Sequence, residues 1–262
     1  MLSYQHAYHA GNAADVHKHL ILTMLLESLT RKPRPITYME THAGRGLYDL
    51  ASPEATKTGE ADRGITALLA AGAIAAGPYA EVIGKVRQAH GATAYPGSPM
   101  IGAMLLRPGD QLHLMELHPR EHAALKAVLK APNIHVHKRD GFEGVLALSP
   151  PTPRRGLVLV DPSYEVKTDY AAASGFAAKL LAKWPQAVVM LWYPVLLAGL
   201  HEAMVRKLTS IAGSLHHEVT VPPHWEKGMS GSGVIMLNAP HGLREALRDY
   251  DWPFEAARLA AG

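Results

Sequence analysis

Cysteine is absent from all 262 residues, which excludes disulfides and thiolate–metal sites and suits a reducing compartment. Long hydrophobic runs are missing too: the apolar stretches are too short, or too interrupted by Gly and Pro, to span a bilayer. The opening Met1-Leu2-Ser3-Tyr4-Gln5-His6 has no basic segment followed by an apolar one, so it does not read as a signal peptide. Together these absences point to a cytoplasmic protein. Low-complexity tracts and internal repeats are also lacking. Charge is nearly balanced at +3, with a pI near 9.0, which permits a nucleic-acid partner without requiring one. What remains is 48% apolar, enough for a sizeable core. At 28.3 kDa the chain fits a single domain over residues 1–262 that carries an insertion. Sixteen histidines give it a charge that rises as pH falls through the imidazole range.

Periodicity supplies the elements. Asn12 caps a helix expected over Ala13 to Leu29, with Asp15 in its first turn. A strand over Ile36 to Glu40 leads into the glycine-rich turn Thr41-His42-Ala43-Gly44-Arg45-Gly46. Residues from about Ser52 to Tyr95 look helical, without a convincing strand, and read as a helical insertion after the first strand. Strands are then expected over Gln111 to Glu116, Ile134 to Lys138, Gly156 to Val160 and Ala187 to Trp192, alternating with helices, one of them over Leu196 to Ile211. Two late strands, Ser214 to Val221 and Gly233 to Leu237, have no room for a helix between them. The expected fold is α/β, a class I (Rossmann-like), mostly parallel sheet with an antiparallel edge.

Each parallel strand of such a sheet ends in useful chemistry at the edge where α/β proteins bind ligands. Gly44 and Gly46 let the backbone turn tightly and approach a ligand. Glu116 can accept hydrogen bonds from ribose hydroxyls. Asp140 can accept one from an adenine amino group, with Gly141 leaving room for the ring. The wholly apolar run Gly156-Leu157-Val158-Leu159-Val160 stops at Asp161-Pro162-Ser163-Tyr164. There the carboxylate and the Pro162 carbonyl can grip an exocyclic amine while Tyr164 stacks on the base. These four residues alone read equally well as a turn with a solvated acid. Four such strand ends in the right order argue against coincidence.

The tetrapeptide resembles the Asp-Pro-Pro-Tyr signature of methyltransferases acting on base amino groups, with Ser163 in the third place. The segment from Met1 to His19 and the motifs Thr41 to Gly46, Tyr95 to Pro99, Glu116 to Pro119, Leu191 to Pro194 and Gly228 to Gly233 together resemble the RlmJ-type family, bacterial adenine-N6 methyltransferases of 23S ribosomal RNA. The resemblance covers essentially the whole chain. It implies S-adenosylmethionine as cofactor, contacted by His19, His42, Ser98, Glu116, Asp140 and Gly141. It places the catalytic acid at Asp161, and Tyr4, His6 and Lys18 near the substrate base. It implies 23S ribosomal RNA as partner; a monomer is expected, with no membrane and no metal. DNA adenine methylation, or a non-catalytic RNA-binding scaffold, are the alternatives.

Other features carry less. His17 and His19 point to different helix faces, and His135 and His137 share a strand face without an obvious third ligand. His216, His217 and His224 read as surface residues. Lys18, Arg31, Lys32, Arg34, Lys57, Arg154, Arg155 and Lys227 are candidate phosphate contacts. Of these, Arg154-Arg155 precede the central strand, at its far end from the site, and read as structural or solubilising. The loop Trp225 to Ser232 is a candidate lid or RNA-contact loop.

Overall fold

Strand β6 (Gly156–Val160) is buried at all five positions and strand β1 (Thr37–Glu40) at all four. A strand apolar on both faces needs cover on both sides. Leu157 and Leu159 enter one core with Tyr38, while Val158 and Val160 enter the other with Met39, following the two-residue alternation of side chains. In the computed structural model, which describes residues 5–221, 229–254 and 257–261, these strands centre an eight-stranded sheet. The other members are β4 (Gln111–Met115), β5 (Ile134–His137), β7 (Val188–Leu196), β8 (Leu215–Thr220), β9 (Met229–Leu237) and β10 (Ala257–Ala261). Their order is β10-β8-β9-β7-β6-β1-β4-β5. The run from β7 to β5 is parallel, and β9, β8 and β10 add antiparallel pairings. Order reverses between β1 and β6, the switch point at which open α/β sheets leave a crevice. Gly156 allows the two to lie close: a Cβ there would collide with the Thr37 carbonyl oxygen.

Helix α1 (Ala13–Thr30) covers one face. Asn12 caps it, its side-chain oxygen accepting from the Asp15 amide at 2.8 Å. Between β2 (Leu47–Asp49) and β3 (Ala94–Pro96), which pair antiparallel, lie α2 (Pro53–Thr58), a π-turn at Asp62–Thr66, α3 (Ala67–Ala70) and α4 (Pro78–His90). This segment docks on the chain that leads into α1. The Ile65 amide donates to the Gly11 carbonyl at 2.8 Å, and the Thr58 hydroxyl to the Tyr8 carbonyl at 2.6 Å. At Gly64 a Cβ would collide with the Gly11 oxygen, so only glycine allows the approach. Helices α5 (Ser98–Leu105) and α6 (Pro119–Val128) follow, then α7 (Gly141–Leu148), α8 (Asp169–Lys183) and α9 (Glu202–Thr209), and α10 (Leu243–Asp249) comes late. Residues of α8 and α9 pack on the face opposite α1.

The α/β class and the parallel sheet with its antiparallel edge are as expected; the details differ in places. β3 is a strand inside the stretch expected to be helical, too short at three residues to show a period. The helix expected from Leu196 begins at Glu202, because β7 keeps pairing with β9 as far as Leu196. β2, α5 and α10 are additions to the expected pattern. So is β10, which brings a third antiparallel strand to the edge.

Candidate active site

Main-chain hydrogen bonds level the carboxyl ends of the parallel strands. The Thr41 amide donates to Leu159 at 3.1 Å, Ala43 to Met115 at 3.0 Å, and Glu116 to His137 at 3.0 Å. The turn after β1 therefore lies across the ends of its neighbours. Gly44 and Gly46 adopt positive φ, 65° and 77°, as the tight turn requires. The Glu116 carboxylate accepts from the Gly44 amide at 2.8 Å and the His118 amide at 2.7 Å. Burial raises its pKa, and these two hydrogen bonds oppose the shift. Asp140 caps α7 through the Glu143 amide at 2.9 Å. Gly141 is needed for the chain itself: a Cβ there would collide with the Thr41 carbonyl oxygen. Its missing side chain thus makes room for the β1 turn.

At the switch point the central acid meets the first helix. Lys18 is 4% exposed, and its Nζ lies 2.7 Å from Asp161 Oδ2 and 2.9 Å from Asp15 Oδ1. Asp15 also holds His6 Nε2 at 2.8 Å and the Gly11 amide at 3.0 Å. Burial would lower the Lys18 pKa, but the two carboxylates reverse the shift and raise it. Burial likewise pulls Asp15 upward, while His6 and Lys18 hold it well below the usual carboxylate range. The Lys18 ammonium also lies 5.4 Å from the centre of the Trp192 ring, within cation–π range. Lys18 is therefore an ion-pair partner of Asp161. It is not an exposed phosphate contact.

Other expected site residues are placed as follows. Ser98 donates to Glu40 Oε2 and Tyr38 to Glu40 Oε1, each at 2.7 Å. Burial pushes Glu40 up to about 8 against these two hydrogen bonds. His19 lies within the protein, its Nδ1 3.0 Å from the Tyr95 hydroxyl, and burial takes its pKa down to about 3. His42 Nδ1 meets the Thr41 hydroxyl at 2.8 Å and its ring meets Phe142 edge-on. Tyr164 turns inward: φ is 55°, exposure is 6%, its hydroxyl donates to the Trp192 carbonyl at 2.7 Å, and its ring packs on Tyr170 at 4.5 Å. In this conformation it offers little open ring face. Tyr4 lies outside the described residues, as do His224, Lys227 and the first half of the candidate lid.

Three participants escape a reading of the sequence: Asp15 as an ion-pair centre, Glu40 and Trp192. Glu40 had a signal, an acid ending the first apolar strand. Trp192 is fixed through its Nε1, which donates to the Ser232 hydroxyl at 2.9 Å. The same hydroxyl lies 2.8 Å from His17 Nδ1, and His17 Nε2 lies 2.8 Å from His217 Nδ1. His217 is 1% exposed, which corrects its reading as a surface residue. Elsewhere, His113 stacks on His135 at 4.7 Å, and its Nδ1 lies 3.2 Å from His137 Nε2. Among the described residues, no cluster of three or more His, Asp or Glu could hold a metal ion, and no helix is long and apolar enough to cross a membrane.

The donor set suits a nucleoside-bearing cofactor. A glycine turn and the acids Glu116 and Asp140 stand on three adjacent strand ends, β1, β4 and β5. Each Glu116 oxygen accepts one main-chain hydrogen bond and keeps lone-pair capacity for another.

Residues 33–261 match the family described as "Ribosomal RNA large subunit methyltransferase D, RlmJ". Ribosomal RNA large subunit methyltransferase J of Escherichia coli (strain K12) is 39% identical over 255 residues, covering 95% of this chain and 91% of that protein. Its namesake from Haemophilus influenzae is 37% identical over 256 residues, with the same coverage of 95% and 91%. A solved structure from Legionella pneumophila is 32% identical and superposes with a TM-score of 0.82, covering 97% of this chain and 98% of that one. A probable spermidine synthase from Corynebacterium glutamicum, 8% identical, shares the fold at a TM-score of 0.52, with 95% and 75% covered.

Proposed function

The chain belongs to the RlmJ family of ribosomal RNA large subunit methyltransferases, and from that premise we propose that it methylates the N6 amino group of one adenine in 23S ribosomal RNA. The observation that carries this reading is the carboxylate of Asp161 at the switch point, held by the buried Lys18 at 2.7 Å. S-adenosylmethionine, when bound, supplies a methyl group activated on a sulfonium. Gly44, Gly46, Glu116, Asp140 and Gly141 would hold it, with His42 at the turn and His19 and Ser98 supporting the floor through Tyr95 and Glu40.

An adenine amine is a weak nucleophile because its lone pair is delocalised into the ring. Two acceptors, the Asp161 carboxylate and the Pro162 carbonyl, draw its hydrogens out of the ring plane and localise that pair. Orientation then supplies much of the acceleration. Asp161 stabilises the positive charge that develops on nitrogen. Lys18 pairs with both Asp161 and Asp15 and so fixes the Asp161 carboxylate, which meets the amine as a preoriented group. Tyr4 and His6 are assigned to the substrate base on the family resemblance alone. Tyr164 anchors the turn after Asp161 through its hydrogen bond to the Trp192 carbonyl. The enzyme works as a monomer in the cytoplasm, with residues 52–95 as an insertion within one domain.

Transfer of tritiated methyl from S-adenosylmethionine to unmodified 23S RNA tests this, with duplex DNA and the Asp161→Ala variant alongside. N6-methyladenine in RNA, lost in the variant, is expected. Label in DNA alone would make it a DNA enzyme. Cofactor binding without label in either would leave a non-catalytic scaffold.

A further inference from the structure

The amino edge of the sheet, opposite Asp161, contains a cleft of about 470 Å³ whose walls include Arg31, Lys32, Arg155, Gln186 and His241. Among the described residues, no acidic side chain lines it. Arg31, Lys32, Arg34 and Arg154 are exposed, and with Arg155 they form no ion pair among the described residues. Two acids lie nearby. Glu27, one turn before Arg31 on α1, forms no ion pair among the described residues. Asp110 is saturated: it accepts from the Arg107 guanidinium at 2.9 Å and from the Arg107 and Ile36 amides at 2.8 Å.

The cleft is also built. Arg107 donates to the carbonyls of Thr30, Lys32 and Arg34 at 3.0, 2.7 and 3.0 Å, which fixes the chain after α1. Arg155 donates to the Leu29 carbonyl at 2.5 Å, which aims its side chain along the same wall. Burial lowers the Arg155 pKa, and the neighbouring charges of Arg34 and Arg107 lower it further. Like charges crowded into one cleft, with Asp110 already saturated, favour an anion from outside.

We propose that this cleft is a second RNA-docking surface, where Arg31, Lys32 and Arg155 take backbone phosphates of RNA outside the segment that carries the target adenine. The inference rests on the RNA substrate proposed above. It replaces the structural or solubilising role that the sequence suggested for Arg155. Arg155 and Asp161 stand six residues apart, about 20 Å along extended strand. On this proposal a short RNA bound at the carboxyl edge leaves the cleft unfilled, and a longer one passes around the sheet to reach it. Guanidinium groups suit phosphate by offering paired donors, and each contact releases counterions.

The test compares Arg31→Glu/Lys32→Glu, both surface positions, with wild type on two RNAs: a short segment with the target adenine, and a fragment several times longer. Filter binding across a salt series should show about tenfold weaker binding of the long fragment by the variant. The log–log salt slope should fall by about 0.7–0.9 per lost contact. Binding and methylation of the short segment should be unchanged. Arg155→Gln should reproduce the effect on the long fragment in a protein whose melting temperature is checked separately. Unchanged binding of the long fragment, or equal loss for both RNAs, would overturn the proposal. So would millimolar inorganic phosphate abolishing the difference between variant and wild type while RNA length does not matter. If wild type methylates neither RNA, the reaction assigned above fails, and binding of the long fragment still decides the docking surface.

Discussion

The two edges of the sheet handle charge in opposite ways. At the carboxyl edge Lys18 is 4% exposed and answered by Asp15 and Asp161, while Glu40 and Glu116 are each satisfied by two hydrogen bonds. At the amino edge Arg31, Lys32 and Arg34 stand in solvent and form no ion pair among the described residues. Buried charges must be paired because an isolated one is strongly penalised, so each fixes the position of the next. Exposed charges carry no such constraint and remain available to a partner. The first arrangement gives geometry, the second attraction.

The comparison breaks most visibly at Lys18. Lys18→Met leaves Asp15 and Asp161 without their shared cation and should cost about 3–5 kcal/mol of stability, read from urea unfolding. Adding Asp15→Asn should recover part of the loss. Asp161→Asn should separate position from reaction: Lys18 keeps Asp15, so the fold tolerates the change, while single-turnover methyl transfer slows by about 10²–10³-fold. Gly141→Ala forces a Cβ against the Thr41 carbonyl and should cost about 1–3 kcal/mol, with weaker cofactor binding by calorimetry. At the opposite edge, Arg31→Glu/Lys32→Glu should change stability by no more than about 0.5 kcal/mol.

Acid should weaken the buried side selectively. Burial holds His19 at about 3 and His217 at about 4, and keeps His17 well below its usual value. Below pH 6.5 the unfolded chain takes up protons that the folded chain refuses, so melting temperature should fall steadily from about pH 6.5 toward 4. Glu40 has the opposite sign. With a folded value of about 8, it favours the fold fully below 4.5 and loses that contribution as pH rises through 8. Glu40→Gln should remove its share of the stability lost between pH 4.5 and 8, as followed by circular dichroism.

Much of this was legible in the sequence, and the gaps have physical reasons. The unbroken apolar run before Asp161 located the central strand because burial on both faces leaves no polar position. Glu116 and Asp140 followed from the same logic at strand ends. The partner of Asp161 was invisible as such: Lys18 lies 143 residues away, and no local pattern encodes an ion pair closed by the fold. His217 could have been recognised. Leu215 and Val219 share its parity on β8 and are both buried, so His217 had to face inward as well. β10 offered no such clue. The run Ala257-Arg258-Leu259-Ala260-Ala261 favours helix by composition, and only pairing with β8 makes it a strand.

The glycine contact between Gly64 and Gly11 has a practical corollary for protein engineering. The segment between β2 and β3 is no detachable ornament: it is spliced to the few residues that launch α1, and α1 delivers Lys18 to Asp161. Trimming that segment to a short turn, or grafting it onto another methyltransferase without its own leader, would uncouple the helix from its anchor. The transplantable unit is therefore discontinuous, the leader and the insertion together.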